Sequence, residues 1–229
     1  ERVAAKIGPE EEIQHKAFAQ RELHPLMLVS PFVHRTFTKP LGYAGDYEMV
    51  NMILRDSIEG PNTYARIVNS FVLAREPAEA HRNRIDFLVD LLHREAKLAA
   101  TEGRKFRVLN IGCGPARETE RFIRETTQCE RGVFTMLDFN DETLEYARRR
   151  LGAACSQSGR SPELRFMHKS IHDLLKESAK GERPAEQWDL VFCAGLFDYL
   201  SDRICKRLLK LFHSWTRPGG RVAATNVHA

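Results

Sequence analysis

A short apolar run leads directly into a glycine-containing turn and then a helix near the middle of the chain, and this order constrains the fold most. Residues 106–118 read Phe-Arg-Val-Leu-Asn-Ile-Gly-Cys-Gly-Pro-Ala-Arg-Glu. Gly112 and Gly114 permit a sharp turn and leave no Cβ in the way of a ligand, and Pro115 suits a first helical position. Free amides at that helix start would face the ligand. The segment therefore predicts a strand, turn and helix that bind a nucleotide-like cofactor.

An acidic residue follows at the end of the next apolar run. Residues 132–138 end in Asp138, which is placed to accept hydrogen bonds from two ribose hydroxyls. A nicotinamide site would favour a third glycine at position 117, where this chain has Arg117. The spacing therefore disfavours an NAD-dependent oxidoreductase.

Four motifs follow one another over residues 105–227. They are Asn110-Ile-Gly-Cys-Gly-Pro-Ala, Leu137-Asp138-Phe139-Asn140, Trp188-Asp-Leu-Val-Phe-Cys193 and Arg217-Pro-Gly-Gly-Arg221. In this order and at these separations they resemble the class I S-adenosylmethionine-dependent methyltransferases. The resemblance implies a Rossmann-like parallel sheet covered by helices and S-adenosyl-L-methionine as the cofactor. Asn110 departs from the family pattern, in which many members carry Glu or Asp, so hydrogen bonding around the methionine part is expected to differ.

The predicted cofactor-binding residues lie at or near the carboxyl ends of the predicted strands, with two arginines from a preceding helix. They are Asn110, Gly112, Cys113, Gly114, Asp138, Phe139, Ser170, Ile171, Cys193, Arg82 and Arg84. Phe139 either belongs to the core or stacks on adenine, and Asp173 rivals Ser170 for the adenine amino group. Arg82 and Arg84 lie about 200° apart around a helix, so they cannot face the site equally. We favour Arg84 as the partner of the methionyl carboxylate.

The chain changes character near residue 105. Residues 1–104 read as mostly helical, whereas strands alternate with helices afterwards, which predicts an α/β fold with helices on both faces of a parallel sheet. We predict an N-terminal helical lid or substrate segment at residues 1–104 and a cofactor-binding methyltransferase core at 105–229. Helices are predicted at about 9–22, 46–58, 62–75, 77–100, 115–127, 141–152, 171–179 and 201–213. Strands are predicted to begin near 106 and to cover 132–138, 164–168, 188–193 and 220–226.

The class I fold ordinarily continues beyond a fifth strand with two more, whereas this chain stops at Ala229. The terminal strands of that fold are therefore expected to be absent from this chain. The exposed sheet edge that results would allow oligomers to form.

Composition and charge disfavour several other classes. The chain has 35 basic and 31 acidic residues, with the two signs interleaved, so we expect no nucleic-acid partner. No apolar run approaches the roughly 20 residues of a membrane span. The five cysteines are widely spaced without a Cys-x-x-Cys pair, which argues against a zinc site and for reduced thiols. We predict a cytoplasmic protein without a bound metal or integral membrane association.

Two further motifs narrow the resemblance. Lys39-Pro-Leu-Gly-Tyr-Ala-Gly-Asp-Tyr-Glu-Met49 and Ala80-His-Arg-Asn-Arg-Ile-Asp86 resemble a bacterial methyltransferase group that includes synthases of 3-hydroxy fatty-acid methyl esters, which serve as quorum-sensing signals. The resemblance places Tyr43 and Asp46 at the active site within the lid. Local chemistry alone favours a turn in which Asp46 caps a helix beginning at Tyr47.

The methyl acceptor is predicted to be an oxygen. Residues 193–199 lack the Asn/Asp-Pro-Pro-aromatic sequence common in enzymes that methylate amide or exocyclic nitrogens. A carboxylate acceptor needs no base, whereas a hydroxyl needs one. Asp198 and His228 are the candidates for a base or an orienting hydrogen bond, although a terminal histidine is more often incidental.

A cluster of apolar residues near the proposed lid either forms core or lines a channel for an acyl chain. It comprises Leu26, Met27, Leu28, Val29, Phe32, Val33 and Phe37. We predict a methyltransferase that acts on a small-molecule or fatty-acyl carboxylate or hydroxyl. The alternatives are a non-catalytic S-adenosylmethionine-binding regulatory module and the NAD-dependent oxidoreductase.

Overall fold

The computed structural model describes residues 7–43, 45–55, 58–181 and 186–226. The chain divides into two compact units, Glu1–Glu79 and Ala80–Ala229. The boundary predicted at residue 104 marks where strands begin, whereas the division between units falls earlier. Most of the last helix before the sheet therefore lies in the second unit, against whose strands it packs.

The first unit is helical in its described parts. Its helices are α1 (Pro9–Glu22), α2 (His24–Met27), α3 (Pro31–Thr38), α4 (Tyr47–Leu54), α5 (Thr63–Leu73) and the start of α6 (Glu76–Thr101). The predictions at 9–22 and 62–75 match α1 and α5, whereas the helix predicted at 46–58 is too long, because α4 ends at Leu54 before the extended Arg55. A small core of Met49, Ile53, Leu73 and Ala78 holds α4, α5 and the start of α6 together.

Helices α2 and α3 were not predicted. Ser30 caps α3 by accepting a hydrogen bond from the Val33 amide (3.2 Å), and Pro31 occupies the first helical position. The Ser30 hydroxyl also donates to Asn69 Oδ1 (2.7 Å), which ties α3 to α5. The Ser-Pro pair was the signal that could have located α3.

The second unit alternates strands and helices. Its elements after α6 are β1 (Phe106–Ile111), α7 (Arg117–Glu125), β2 (Gly132–Asp138), α8 (Asp141–Ser158), β3 (Glu163–His168), α9 (Ile171–Ala179), β4 (Trp188–Ala194), α10 (Asp202–Trp215) and β5 (Thr216–Thr225). Short 3-10 helices cover Thr127–Arg131 and Leu196–Tyr199. Helix α8 continues past the predicted end at 152 and stops where Gly159 adopts a left-handed conformation (φ 66°).

The five strands described form one sheet in the order β3-β2-β1-β4-β5, with every neighbouring pair parallel. This architecture confirms the predicted Rossmann-like α/β fold. Strand β1 lies at the centre, and the order reverses direction on either side of it. The carboxyl ends of β1, β2 and β4 therefore meet at the place where ligands bind in open sheets of this kind.

Alternating residues of the strands send their side chains to two apolar layers. One layer combines β1 residues Phe106 and Val108 with Leu88 and Leu92 of α6 and residues of α7 and α8. On the other face, Leu109 packs with residues of α9 and α10. The sheet is thus covered on both faces, as its continuous apolar strands require. No helix within the described ranges is both long and apolar enough to cross a membrane.

Candidate cofactor site

The turn after β1 is built from left-handed residues. Gly112 (φ 64°), Gly114 (φ 51°) and Ala116 (φ 50°) all have positive φ. Glycine adopts this conformation without a steric penalty, whereas alanine rarely does. Helix α7 consequently begins at Arg117, after the left-handed Ala116. The prediction that Pro115 occupies the first helical position is wrong, because Pro115 belongs to the turn.

Two amides of the turn are already paired. The Cys113 amide donates to the Leu137 carbonyl oxygen (3.0 Å), and the Gly114 amide donates to Asp138 Oδ2 (3.2 Å). These two turn amides are therefore not free to face a ligand, whereas the free amides predicted at the helix start stay a prediction. The two hydrogen bonds instead join the turn to the end of β2.

Asp138 lies at the carboxyl end of β2 and is 5% exposed. Its second oxygen, Oδ1, accepts a hydrogen bond from the Asn140 amide (3.1 Å). Burial raises the pKa of Asp138, although hydrogen bonding to the backbone amides of Gly114, Asn140 and Phe139 opposes that shift. A carboxylate offers about four acceptor positions, so each oxygen keeps capacity for one more donor. Asp138 therefore keeps capacity for two ribose hydroxyls, and its ribose role stays a prediction.

Phe139 is half exposed, which excludes the alternative that it belongs to the core. Its carbonyl oxygen lies 2.6 Å from Nε2 of His168, and since a carbonyl can only accept, the histidine donates. His168 is aligned with Asp138 across the parallel pairing of β2 and β3. The loop that presents the Phe139 ring is thereby fixed to the neighbouring strand.

Ser170 and Asp173, the rival candidates for the adenine amino group, bind each other. The Ser170 hydroxyl donates to Asp173 Oδ2 (2.6 Å) and accepts from the Asp173 amide (3.2 Å), which caps α9. Hydrogen bonding to Ser170 lowers the pKa of Asp173. Ile171 begins α9 and packs against the apolar layer beneath it.

Arg84 of α6 reaches the carboxyl end of β4. A Cβ built on Gly195 would lie only 2.8 Å from Arg84 Nη1, so the guanidinium occupies the space that a side chain at position 195 would need. Arg84 Nε is buried and has no hydrogen-bond partner among the described residues. Burial lowers the pKa of Arg84, while the charges of Glu118 and Asp198 oppose this. A cation with a buried, unused donor favours an anionic ligand group at this position.

Glu118 is a site residue that the sequence analysis missed. It lies in the first turn of α7, is 4% exposed, and accepts a hydrogen bond from Asn110 Nδ2 (2.7 Å). Burial raises the pKa of Glu118 to about 7, against the opposing charge of Arg84. Asn110 is also buried, and its Oδ1 has no partner among the described residues. An acid just inside the helix that follows a glycine turn was the available signal.

The two predicted site cysteines are buried in the second unit. Cys113 is 5% exposed and Cys193 is fully buried. Burial raises the pKa of Cys193 to about 12 and that of Cys113 well above its ordinary value. Both thiols are therefore neutral packing groups beside the strand ends.

The residues proposed for the lid lie in the first unit. Asp46 caps α4 by accepting from the Met49 amide (2.8 Å), and both its oxygens receive Arg35 Nε (2.9 and 3.1 Å). The predicted capping role is confirmed, and these contacts occupy a carboxylate that is 2% exposed. Tyr43 lies in the preceding turn, after Gly42 (φ 83°). The lid and the catalytic roles of Tyr43 and Asp46 stay predictions.

The remaining candidates differ in position. Asp198 is exposed in the 3-10 helix that follows β4, close enough to Arg84 to interact electrostatically. Arg82 lies two residues before Arg84 on α6, partly exposed. His228 lies outside the described residues.

Residues 108–220 match a family model described as a methyltransferase domain. No curated protein is significantly similar to the chain in sequence. A solved structure of a possible exported protein from Bordetella parapertussis is similar in fold, with a TM-score of 0.59, 20% identity, and coverage of 84% of this chain and 60% of that one. The chain thus spans less than two thirds of that protein's length.

Two other solved structures are similar at lower scores. An O-methyltransferase family protein from Burkholderia thailandensis has a TM-score of 0.44 and 16% identity, covering 85% of this chain and 52% of that one. An O-methyltransferase from Bacillus cereus, solved with S-adenosylhomocysteine, has a TM-score of 0.42 and 16% identity, with 62% and 55% covered.

The match to the methyltransferase domain model covers just under half of the chain, all of it in the second unit. The domain and its Rossmann-like fold support S-adenosylmethionine as the cofactor. The matched residues include the glycine turn, Asp138 and the carboxyl end of β4, so the domain match and the geometric site coincide.

Replacing Asp138 tests the cofactor site. Asp138→Ala should weaken binding of S-adenosylhomocysteine by about 1.5–3 kcal/mol, because hydrogen bonds to a charged group are lost. Calorimetric titration measures the affinity, and a melting curve checks that the domain still folds. Asp90→Ala, which changes an exposed aspartate on α6, is the matched control and should bind as the wild type does. Equal affinity of the two variants would contradict the ribose assignment.

Glu118 should make stability depend on pH. Its pKa in the folded chain is about 7, above the ordinary 4.5, so folding favours the protonated form. The stabilisation is fully present below about pH 4.5 and is lost as pH rises through 7, by about 3 kcal/mol in total. Glu118→Gln removes this dependence. Denaturant unfolding should therefore show that the variant gains stability relative to wild type between pH 4 and about pH 8. A constant difference across that window would contradict a raised pKa.

Proposed function

We propose that this chain transfers the methyl group of S-adenosylmethionine to an oxygen of a small-molecule or fatty-acyl acceptor. The proposal is carried by one juxtaposition: a glycine turn, a buried carboxylate and an arginine with a buried, unused donor lie at adjoining strand ends. Each matches a different part of the cofactor. Asp138 suits the ribose, the exposed Phe139 ring suits adenine, and Arg84 suits the methionyl carboxylate.

Methyl transfer requires few catalytic side chains. When bound, the cofactor's sulfonium supplies an electrophilic methyl carbon, and positive charge on sulfur is lost as the methyl group leaves. The protein must therefore orient the acceptor oxygen in line and exclude water, rather than supply a nucleophile. Asp138 and Arg84 would fix the two ends of the cofactor so that the methyl group has one orientation.

The segment after β4 supports an oxygen acceptor. Gly195 turns the chain (φ 81°), and the 3-10 helix that follows carries exposed Asp198 and Tyr199. A carboxylate acceptor is ionised at neutral pH and needs no base. For a hydroxyl acceptor, Asp198 would accept the hydroxyl proton and so orient the oxygen.

The acyl part of the proposal rests on sequence resemblance and on exposed apolar surface in the first unit. Leu26, Met27 and Phe37 are 51%, 37% and 52% exposed, so the explanation that they are core residues fails for these three. Their exposed apolar side chains are available to contact an apolar ligand or partner. Together with the motifs at 39–49 and 80–86, they favour a 3-hydroxy fatty acid as the methyl acceptor.

A non-catalytic S-adenosylmethionine-binding module is the main alternative. It would bind the same cofactor with the same residues but would not release S-adenosylhomocysteine. Incubation with methyl-labelled cofactor and a lipid extract separates the two, because only an enzyme transfers label to an extractable product. The NAD-dependent oxidoreductase is disfavoured because Arg117, rather than glycine, begins α7.

Substitutions of arginines on α6 test the assignment of Arg84 to the methionyl carboxylate. Arg84→Met should weaken S-adenosylhomocysteine binding by about 1.5–3 kcal/mol, through loss of charge-assisted hydrogen bonds. Binding of 5′-methylthioadenosine, which lacks the amino-acid end, should not change. Arg94→Met alters an exposed arginine of the same helix and is the control. Weakening by Arg82→Met but not by Arg84→Met would transfer the role to Arg82.

Chain length of the acceptor tests the acyl proposal. A buried methylene contributes about 0.8 kcal/mol, equivalent to roughly fourfold in kcat/KM. In a series of 3-hydroxy acids of about eight to sixteen carbons, kcat/KM should rise with chain length until the acyl chain covers the available apolar surface. Transfer of labelled methyl to each acid gives the rates. A flat profile would exclude an acyl site and leave a small polar acceptor.

A further inference from the structure

The buried pair of Asn110 and Glu118 has no role in the proposed transfer step, yet it lies beside the residues that have one. Asn110 is 1% and Glu118 is 4% exposed. Their side chains are joined by one hydrogen bond of 2.7 Å from Asn110 Nδ2 to Glu118 Oε1. They connect β1, just before the glycine turn, to α7, just after it. Any ligand at the turn therefore lies close to this pair.

The hydrogen bond determines which way the Asn110 amide faces. An ionised carboxylate can only accept, so Glu118 requires the nitrogen of the amide. The amide oxygen, Asn110 Oδ1, is then directed elsewhere, and it is buried with no partner among the described residues. A buried acceptor left unpaired costs free energy. An incoming donor would remove this cost.

The neighbouring Arg84 supplies an unused hydrogen-bond donor, which complements the unused acceptor Asn110 Oδ1. Its Nε is buried with no partner among the described residues, and its guanidinium interacts electrostatically with Glu118. The charged and titratable groups that act on this region come from four places. They are Arg84 of α6, Cys193 of β4, Asp198 and Tyr199 of the segment after β4, and Asp138 and Cys113 near the turn. An unused donor and an unused acceptor at adjoining strand ends together match an amino acid, which carries a carboxylate and an ammonium group.

We propose that Glu118 is a positioning residue for the amino-acid end of the cofactor. It holds the Asn110 amide so that Oδ1, and not Nδ2, accepts from the ammonium group, and its charge attracts Arg84 towards the place of the carboxylate. This inference rests on the proposed function. A purely structural role explains Glu118 poorly, because burying a carboxylate that lacks a close cationic partner costs stability.

Two ligands and a charge-relocating variant test the inference. S-adenosylhomocysteine has the amino-acid end and 5′-methylthioadenosine lacks it, and titrations at about pH 8.5 keep Glu118 ionised. Glu118→Ala frees the Asn110 amide to rotate, so S-adenosylhomocysteine should bind about tenfold more weakly. The affinity for 5′-methylthioadenosine should not change.

The double variant Asn110→Asp with Glu118→Ala should restore S-adenosylhomocysteine affinity to within about threefold of wild type. The carboxylate introduced at position 110 would carry an oxygen on both sides, so it needs no positioning, and the net charge equals that of wild type. A role confined to folding would not be rescued in this way. Failure of the double variant to restore affinity would overturn the inference.

Glu120 provides the matched control. It lies two residues along α7 and is also 4% exposed, but it pairs with Arg117, Arg124 and Arg150. Glu120→Ala should leave the ratio of the two affinities unchanged. If Glu118→Ala does not fold, Asn110→Leu removes the same acceptor and should weaken S-adenosylhomocysteine alone. An unchanged affinity ratio in the Glu118 or Asn110 variants overturns the inference, whereas a wild-type protein that binds neither ligand overturns the proposed function.

Discussion

The site depends on the two backbone hydrogen bonds that join the turn after β1 to the end of β2. The amides of Cys113 and Gly114 reach Leu137 and Asp138 only because the turn passes through left-handed conformations at alternate residues. That path sets the start of α7 at Arg117. It also places the first turn of α7 next to the end of β1, which is why an acid there becomes buried.

Two kinds of buried carboxylate on α7 illustrate opposite uses of charge. Glu120 is surrounded by three arginines, so its burial is compensated by ion pairs within the chain. Glu118 receives neutral donors, the Asn110 amide and the Thr119 hydroxyl, and a more distant cation, and burial raises its pKa. The arrangement around Glu118 leaves Asn110 Oδ1 and Arg84 Nε without hydrogen-bond partners among the described residues. Unpaired buried polar atoms lower the stability of the free protein, and a ligand that pairs with them restores that stability.

The overall fold could be predicted more accurately than the boundaries of its individual helices. Apolar runs bounded by turn residues located β2 and β4, and the helix predicted at 171–179 matches α9, because these signals are local. The start of α7 was misplaced because Pro115 is compatible with a helix in isolation. Nothing local marks Ala116 as left-handed, since alanine disfavours that conformation. The pairing of the turn with β2 imposes it.

A candidate site residue could be predicted where its type and its place in the sequence suggest one role. It could not be predicted where the role depends on which way the side chain faces in the folded chain. Asp138 ends an apolar strand, where an acid matches the ribose-binding position of nucleotide-binding folds, so the sequence alone could propose that role. Arg84 could be favoured over Arg82 only weakly, because helical spacing separates their faces without saying which one meets the sheet. Gly195 supports the choice of Arg84, since its missing Cβ leaves the space that the Arg84 guanidinium fills. Glu118 was missed because charge on a helix is usually solvated: its place after the glycine turn was a local signal, but its burial follows from the path of the turn.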